Sequence, residues 1–319
     1  MLFSWRSFRR LMFGIPLVEA TCATRGFQGS EIKVQQRFEQ IGHTFLHGYH
    51  TALEDDKPES LVFRLNTIEA ELRGFAFEGA AMGLTLLDKV IPLPRSRLQI
   101  FLESAGSDHA YMVHVGVGWL LARLHQRVEP FLAKLDPLLC WLVVDGYGFH
   151  EGYFHWRDYI QQQKSLKQLS SYARRVFDQG LGRSLWFVNG ADVTLIPATI
   201  AAFPLARHSD LWSGIGLACT YAGGVERDAI EALQIAAKPY QPYLAQGAAF
   251  AAKARQRASN PAAHTELACQ VFCNMSADAA ARVTDMALEK LPTNGAEPAY
   301  EIWRQRVQTH FTSALLTAL

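Results

Sequence analysis

The sequence predicts an all-α protein made of about seven tandem helical hairpins, a solenoid or an α/α toroid-like array. Three observations carry this expectation. Glycines recur inside long helical patterns at nearly even spacing, shorter amphipathic stretches separate those patterns, and no window alternates β-branched and polar residues as a strand would. Gly costs about 1 kcal/mol relative to Ala inside a helix, so its repeated use there points to close helix packing.

The glycine-bearing segments are HTFLHGYHTALE, GFAFEGAAMGLTLLD, YMVHVGVGWLLARL, YGFHEGYFHWRDYI, RVFDQGLGRSLWFV, SDLWSGIGLACTYAGG and YLAQGAAFAAKARQRA. They align on Gly48, Gly79, Gly116, Gly152, Gly180, Gly214 and Gly247, with steps of 31, 37, 36, 28, 34 and 33 residues. Each step is about one helix pair, within the range of helical repeats. The shorter stretches run over Glu59–Ile68, Arg97–Ser104, Pro130–Leu135, Ser165–Val176, Asp192–Phe203 and Ala229–Ala237, and Pro92, Pro94, Pro137, Pro204 and Pro239 stand where helices should stop. Two capped helices, Ser276–Leu291 and Glu297–Leu316, close the chain. The expected organisation is a basic amphipathic segment over 1–30, the helical repeats over 31–258, and a C-terminal helical cap over 259–319, continuous with them.

Composition narrows the function classes. With 319 residues and 49% hydrophobic side chains, the chain is able to bury a large core. Its 31 basic and 30 acidic residues nearly cancel, so no overall field attracts nucleic acid. Cys22, Cys140, Cys219, Cys269 and Cys273 are too few and too scattered for a disulfide framework, and reduced thiols in a cytoplasm are the simpler account. Met1–Gly14 carries Arg6, Arg9 and Arg10 among large apolar residues and has no acid. The arginines interrupt any signal-peptide core, and no run is long enough to span a bilayer. The segment reads as a helix docked on the body of the protein, or as one with weak membrane-surface affinity.

If the glycine-bearing helices form an inner layer, equivalent positions share one concave surface. The residues just before the aligned glycines, His47, Glu78, Val115, Glu151, Gln179, Ser213 and Gln246, are mostly polar and are expected to line it. Those three before, Phe45, Ala76, Val113, Phe149, Phe177, Leu211 and Leu244, are apolar and read as core.

The densest chemistry lies in VVDGYGFHEGYFHWRD. Asp145, His150, Glu151, His155 and Asp158 offer acids and bases there, beside Tyr147, Tyr153 and Trp156. A carboxyl in an aromatic pocket keeps its proton to higher pH and is suited to donate it, with a histidine to return it. The structural alternative is that Glu151 and the histidines bond between neighbouring helices. His150 and His155 are five residues apart and diverge around a helix, so no metal site is expected. Cys269 and Cys273, with only His264 near, read as buried helix residues.

A second constellation holds Arg183, Trp186, Asn189, Asp192, Arg207, His208, Asp210 and Trp212. Arg183 and Arg207 would clamp a carboxylate, phosphate or phosphopantetheine-like group, or else pair with Asp192 and Asp210. The glycines of GIGLACTYAGG lie in a helix rather than between a strand and a helix, and there is no P-loop, G-x-S-x-G elbow or haem-attachment motif. No cofactor is expected.

The segments Arg25-Gly26-Phe27, HGYHTALE, FEGAAMGLTLLD, VDGYGFHEGYF, RSLWFVNGAD, DLWSGIGLACTYAGG and LAQGAAFAAKA carry a resemblance. From about residue 10 to residue 257 the chain resembles a bacterial family of unknown function encoded beside enediyne polyketide synthases and in other natural-product gene clusters. That resemblance implies work on a polyene or related apolar precursor and assigns no residue a role. The resulting expectation is an enzyme that cyclises or isomerises an extended polyketide or isoprenoid polyene by acid–base chemistry. Glu151 would donate the proton and His150 or His155 act as base, with Glu78 and Asp145 in support. Tyr153, Trp156, Arg183, Trp186, Asp192, Arg207, Asp210, Trp212 and Tyr221 would bind substrate. The alternatives are a scaffold that docks a polyketide synthase or carrier protein on its concave face, and a carrier that shields a reactive polyene.

Overall fold

The structure, a computed structural model, describes residues 5–29, 31–94, 96–292 and 295–317; Met1–Ser4 of the amphipathic segment lie outside the described residues. Among the described residues all regular structure is helical. In chain order the helices are α1 (Trp5–Phe13), α2 (Cys22–Arg25), α3 (Ile32–Glu54), α4 (Pro58–Asn66), α5 (Ala70–Val90), α6 (Arg97–Leu102), α7 (Ala110–Arg123), α8 (Glu129–Leu132) and α9 (Trp141–Phe154). They continue with α10 (Ser171–Val188), α11 (Leu195–Ala201), α12 (Leu205–Ala222), α13 (Arg227–Ala236), α14 (Gln241–Arg257), α15 (Ala263–Phe272), α16 (Ala277–Leu288) and α17 (Ala299–Thr317). The long helices α3, α5, α7, α9, α10, α12 and α14 pack side by side in sequence order as an inner layer.

Glycine makes this layer possible. Gly79, Gly116, Gly146, Gly180, Gly214 and Gly247 each press on a backbone carbonyl of the preceding inner helix, those of Phe45, Glu78, Val115, Asp145, Gln179 and Ser213. A Cβ at any of them would lie 1.9–2.1 Å from that oxygen. Two positions further on, Gly118, Gly148, Gly182 and Gly216 press in the same way on the following helix, as Gly48 of α3 does. The backbones meet at the distance of Cα–H···O contacts, and the same register repeats at every step.

This register corrects the alignment expected for two helices. In α9 the equivalent glycine is Gly146, because Gly152 faces the Ser184 side chain and no neighbouring carbonyl; in α3 the place is taken by Leu46, next to Phe45. The polar row is therefore Glu78, Val115, Asp145, Gln179, Ser213 and Gln246, and neither His47 nor Glu151 belongs to it. A second correction concerns 165–176. Ser170 caps α10 by accepting from Ala173 N (3.2 Å), so Ser171–Val176 opens an inner helix, and the only helical part of the link from α9 is a π-turn, Arg157–Gln161.

The row also does not line an open surface. Gln179 Nε2 donates to Asp145 Oδ2 (2.8 Å) and to Tyr300 Oη (3.2 Å). Ser213 Oγ lies 2.9 Å from Gln246 Oε1 and 3.3 Å from Gln179 Oε1, and Gln308 Nε2 donates to Gln246 Oε1 (3.2 Å). Tyr300, Arg304 and Gln308 recur at helical spacing on α17, which lies against this row with Tyr300, Trp303, Arg304 and Val307 wholly buried. Arg304 completes the contact with a 2.6 Å bond to buried Asp210. The helix expected as a terminal cap thus fills the concave side.

The layer curls until its ends meet. Arg37 Nε donates to Ala222 O (3.2 Å), joining α3 to α12, and Arg255 reaches from α14 to Glu71 O (3.1 Å) at the start of α5. No helix among the described residues is long and apolar enough to cross a membrane.

Candidate functional site

A strap formed by residues 13–28 runs from α3 to Trp156 and the end of α10. Phe13 O accepts from Tyr49 Oη (2.8 Å) and Ile15 N donates to His50 Nε2 (3.1 Å). At the far side Trp156 Nε1 donates to Arg25 O (3.0 Å) and Gln28 N to Val188 O (2.7 Å). Between these moorings Ala20 settles onto Gly42 of α3, where a Cβ would stand 2.8 Å from the alanine methyl.

Ile15 and Ala20 of the strap roof a cavity walled by Phe45, Met82, Trp119, Phe149, Tyr153 and Phe187. The rings lean on one another, Trp119 lying 4.7 Å from Phe45 and 5.0 Å from Phe149, and Phe149 5.5 Å from Phe187. The cavity has a volume of about 50 Å³ and is a narrow slot.

One acid is buried in this slot. Glu78 is 1% exposed and its Oε1 has no hydrogen-bond partner. Burial raises its carboxyl to about 8, with Asp145 adding to the rise and Arg183 and the Trp119 indole opposing it. At neutral pH Glu78 therefore keeps its proton. Behind it Arg183 is ion-paired with Asp145 and lies over the Phe149 ring at 4.6 Å. That pair stands ready to offset charge on Glu78 without removing its proton.

The other residues singled out in the sequence fall elsewhere. Glu151 is buried outside the cavity, 3.4 Å from His150 Nδ1 without closing a hydrogen bond, and it raises the hydroxyls of Tyr147 and Tyr159 beside it after burial has done most of that work. His150 is held neutral by burial, and His155 is exposed. Trp186 donates to Gly223 O (3.0 Å), Trp156 moors the strap, and Trp212 is buried core. Tyr221 meets Phe75 edge-to-face behind the wall (5.2 Å).

The expected ion pairs also change partners. Arg183 takes Asp145, Arg207 binds Asp178 (Nε–Oδ2 2.9 Å), Asp210 is held by Arg175 and Arg304, and Asp192 caps Thr194 (2.8 Å). Neither arginine is left to clamp an anion. Sequence reasoning missed Trp119, Phe187 and the strap. With the glycines in register, Met82, Trp119, Phe149 and Arg183 each stand three places after the aligned glycine, a signal that is present in the sequence once the phase is right. Among the described residues no three His, Cys, Asp or Glu side chains converge as metal ligands.

No curated protein and no solved structure matches this chain. The sequence model of one family, described as "Protein of unknown function (DUF1702)", matches residues 4–311, and the chain, matched over nearly its whole length, belongs to that family.

Proposed function

We propose that this protein is an enzyme of natural-product biosynthesis that isomerises or cyclises an extended apolar polyene, polyketide or isoprenoid, by protonation from Glu78. One observation carries the reading: a carboxylic acid that is neutral at pH 7, with a free oxygen, in a slot walled, apart from Glu19 and Arg123, by aromatic and aliphatic side chains. The resemblance to cluster-encoded proteins supplies the substrate class.

The step balances within the protein. The Glu78 proton passes to one alkene carbon, the π pair forms the new C–H bond, and the adjacent carbon becomes cationic. Trp119, Phe149 and Phe187 present ring faces to that charge, each worth about 0.5–2 kcal/mol, while Arg183 offsets the new glutamate. Loss of a proton from the carbon skeleton, back to Glu78, restores the acid and leaves an isomer. In a cyclisation the next alkene attacks the cation before that loss. The slot is too narrow to admit such a chain until the strap lifts.

The test is turnover of candidate linear polyenes dispersed in detergent. Glu78→Gln, nearly the same shape without the acid, should lose activity by at least about a hundredfold and retain bound polyene, whereas Glu151→Gln should stay within a few fold of wild type. Full activity in Glu78→Gln would sink the assignment. The scaffold alternative needs an open concave face, and α17 occupies it.

A further inference from the structure

The strap has a second face. Ile15 and Ala20 point into the cavity, while Leu17 and Val18, between them in sequence, are 53% and 55% exposed. Leu11 and Met12, at the end of α1, are 75% and 56% exposed. Large exposed hydrophobic residues are concentrated here: of the thirteen among the described residues, Phe8, Leu11, Met12, Leu17 and Val18 fall within eleven positions. Isolated exposed apolar residues are ordinary, but a run of them over the roof of an apolar cavity is not.

Glu39 and Glu54 share a groove with Leu17 and Arg10, and Glu54 is paired with both Arg10 and Arg64. The chain carries no acid before Glu19, and Glu19 is held by Arg25. Arg10 is half-exposed while moored to Glu54. Arg123, which lines the cavity mouth, and Arg157, beside the strap's Gly26, are exposed and have no carboxylate partner among the described residues. Exposed apolar side chains on the strap, with Arg123 and Arg157 left without a carboxylate at the cavity and at Gly26, match the boundary of an anionic bilayer, whose acyl region takes the first and whose headgroups take the second.

We infer that the strap is a lid that rests on an anionic membrane surface and opens there, so that the apolar substrate enters the Glu78 cavity from the lipid phase. This rests on reading the cavity as a site for an apolar substrate. The lid is held by few bonds: on α3 by Tyr49, His50 and the bond from Cys22 N to Glu39 Oε1 (3.0 Å) beside the Ala20–Gly42 touch, and at the far side by Trp156 and Val188.

The test uses the full-length protein and sedimentation with vesicles of phosphatidylcholine alone, or with one part phosphatidylglycerol to three parts phosphatidylcholine. The protein should sediment with the anionic vesicles and release in high salt. Leu17→Asp combined with Val18→Asp should weaken binding by about tenfold or more, and turnover of detergent-dispersed substrate should not change because neither residue lines the cavity.

Lid opening is read at Cys22, a buried strap thiol. A membrane-permeant maleimide should modify Cys22 faster with anionic vesicles than without, and the other four cysteines at unchanged rates. Wild type that ignores both vesicles, or a double variant that binds equally well, would overturn the inference. So would concentration-dependent dimerisation lost in the double variant, which would give the patch to a second copy. Binding without faster Cys22 labelling would leave an anchor and overturn the lid. Turnover without vesicle binding would sink this inference and spare the enzyme, whereas vesicle binding with Cys22 exposure but no turnover by any polyene would do the reverse.

Discussion

Two stretches of the same inner row behave differently. From Asp145 through Gln179, Ser213 and Gln246, polar groups join one another and α17, and the space between them is filled. At Glu78 the row meets rings, a free carboxyl oxygen and a slot under a thin strap. A buried polar group whose bonds are made holds the structure together, while one left unmade under a removable cover is available to a ligand. Chemical type alone does not separate the two, since both stretches contain an acid.

Breaking the filled stretch should have the largest effect on stability. Asp145→Ala strands Arg183 in the core without its carboxylate and should cost about 3–5 kcal/mol, read as a fall in denaturant midpoint. Gly180→Ala puts a methyl 1.9 Å from the Asp145 carbonyl oxygen, where two backbones cannot both give way, and should cost about 3 kcal/mol.

Glu78→Gln should act in the opposite direction. The folded carboxyl titrates near 8 and the unfolded one near 4.5, so as pH rises between these values the unfolded state ionises first and the wild type loses stability. The variant should lack that loss and be the more stable protein at pH 8, by a few kcal/mol at most. Wild-type turnover, which needs the acid form, should fall as pH rises through about 8. Ser213→Ala removes one neutral hydrogen bond from the ladder and should cost about 1 kcal/mol. Gly42→Ala should cost less than about 1 kcal/mol, because the neighbour that must yield is the strap, yet it should speed labelling of Cys22.

The helical array is legible in the sequence because a glycine inside a helix costs stability unless a neighbouring backbone presses against it. The register at α9 is not, because VDGYGFHEG offers Gly146, Gly148 and Gly152, and the spacing to Gly180 tolerates any of them. The pairs Gly116-x-Gly118, Gly146-x-Gly148, Gly180-x-Gly182 and Gly214-x-Gly216 identify the right one, since one glycine must face each neighbour. A slip of six residues puts Glu151 in the row where Asp145 stands. Glu78 reads in the sequence as only a supporting acid, because its isolation depends on the strap and on Trp119, which lie far from it along the chain. The pairing of Arg183 with Asp145 likewise joins residues on different helices, while Asp192 and Asp210 are only nearer in sequence.

Whether Glu78 is a neutral acid at physiological pH is read directly by infrared difference spectroscopy between wild type and Glu78→Gln. Wild type at pH 7 should show a protonated carboxyl carbonyl band, absent from the variant and lost on titration near pH 8. A wild-type spectrum at pH 7 with only carboxylate bands assignable to Glu78 would contradict it.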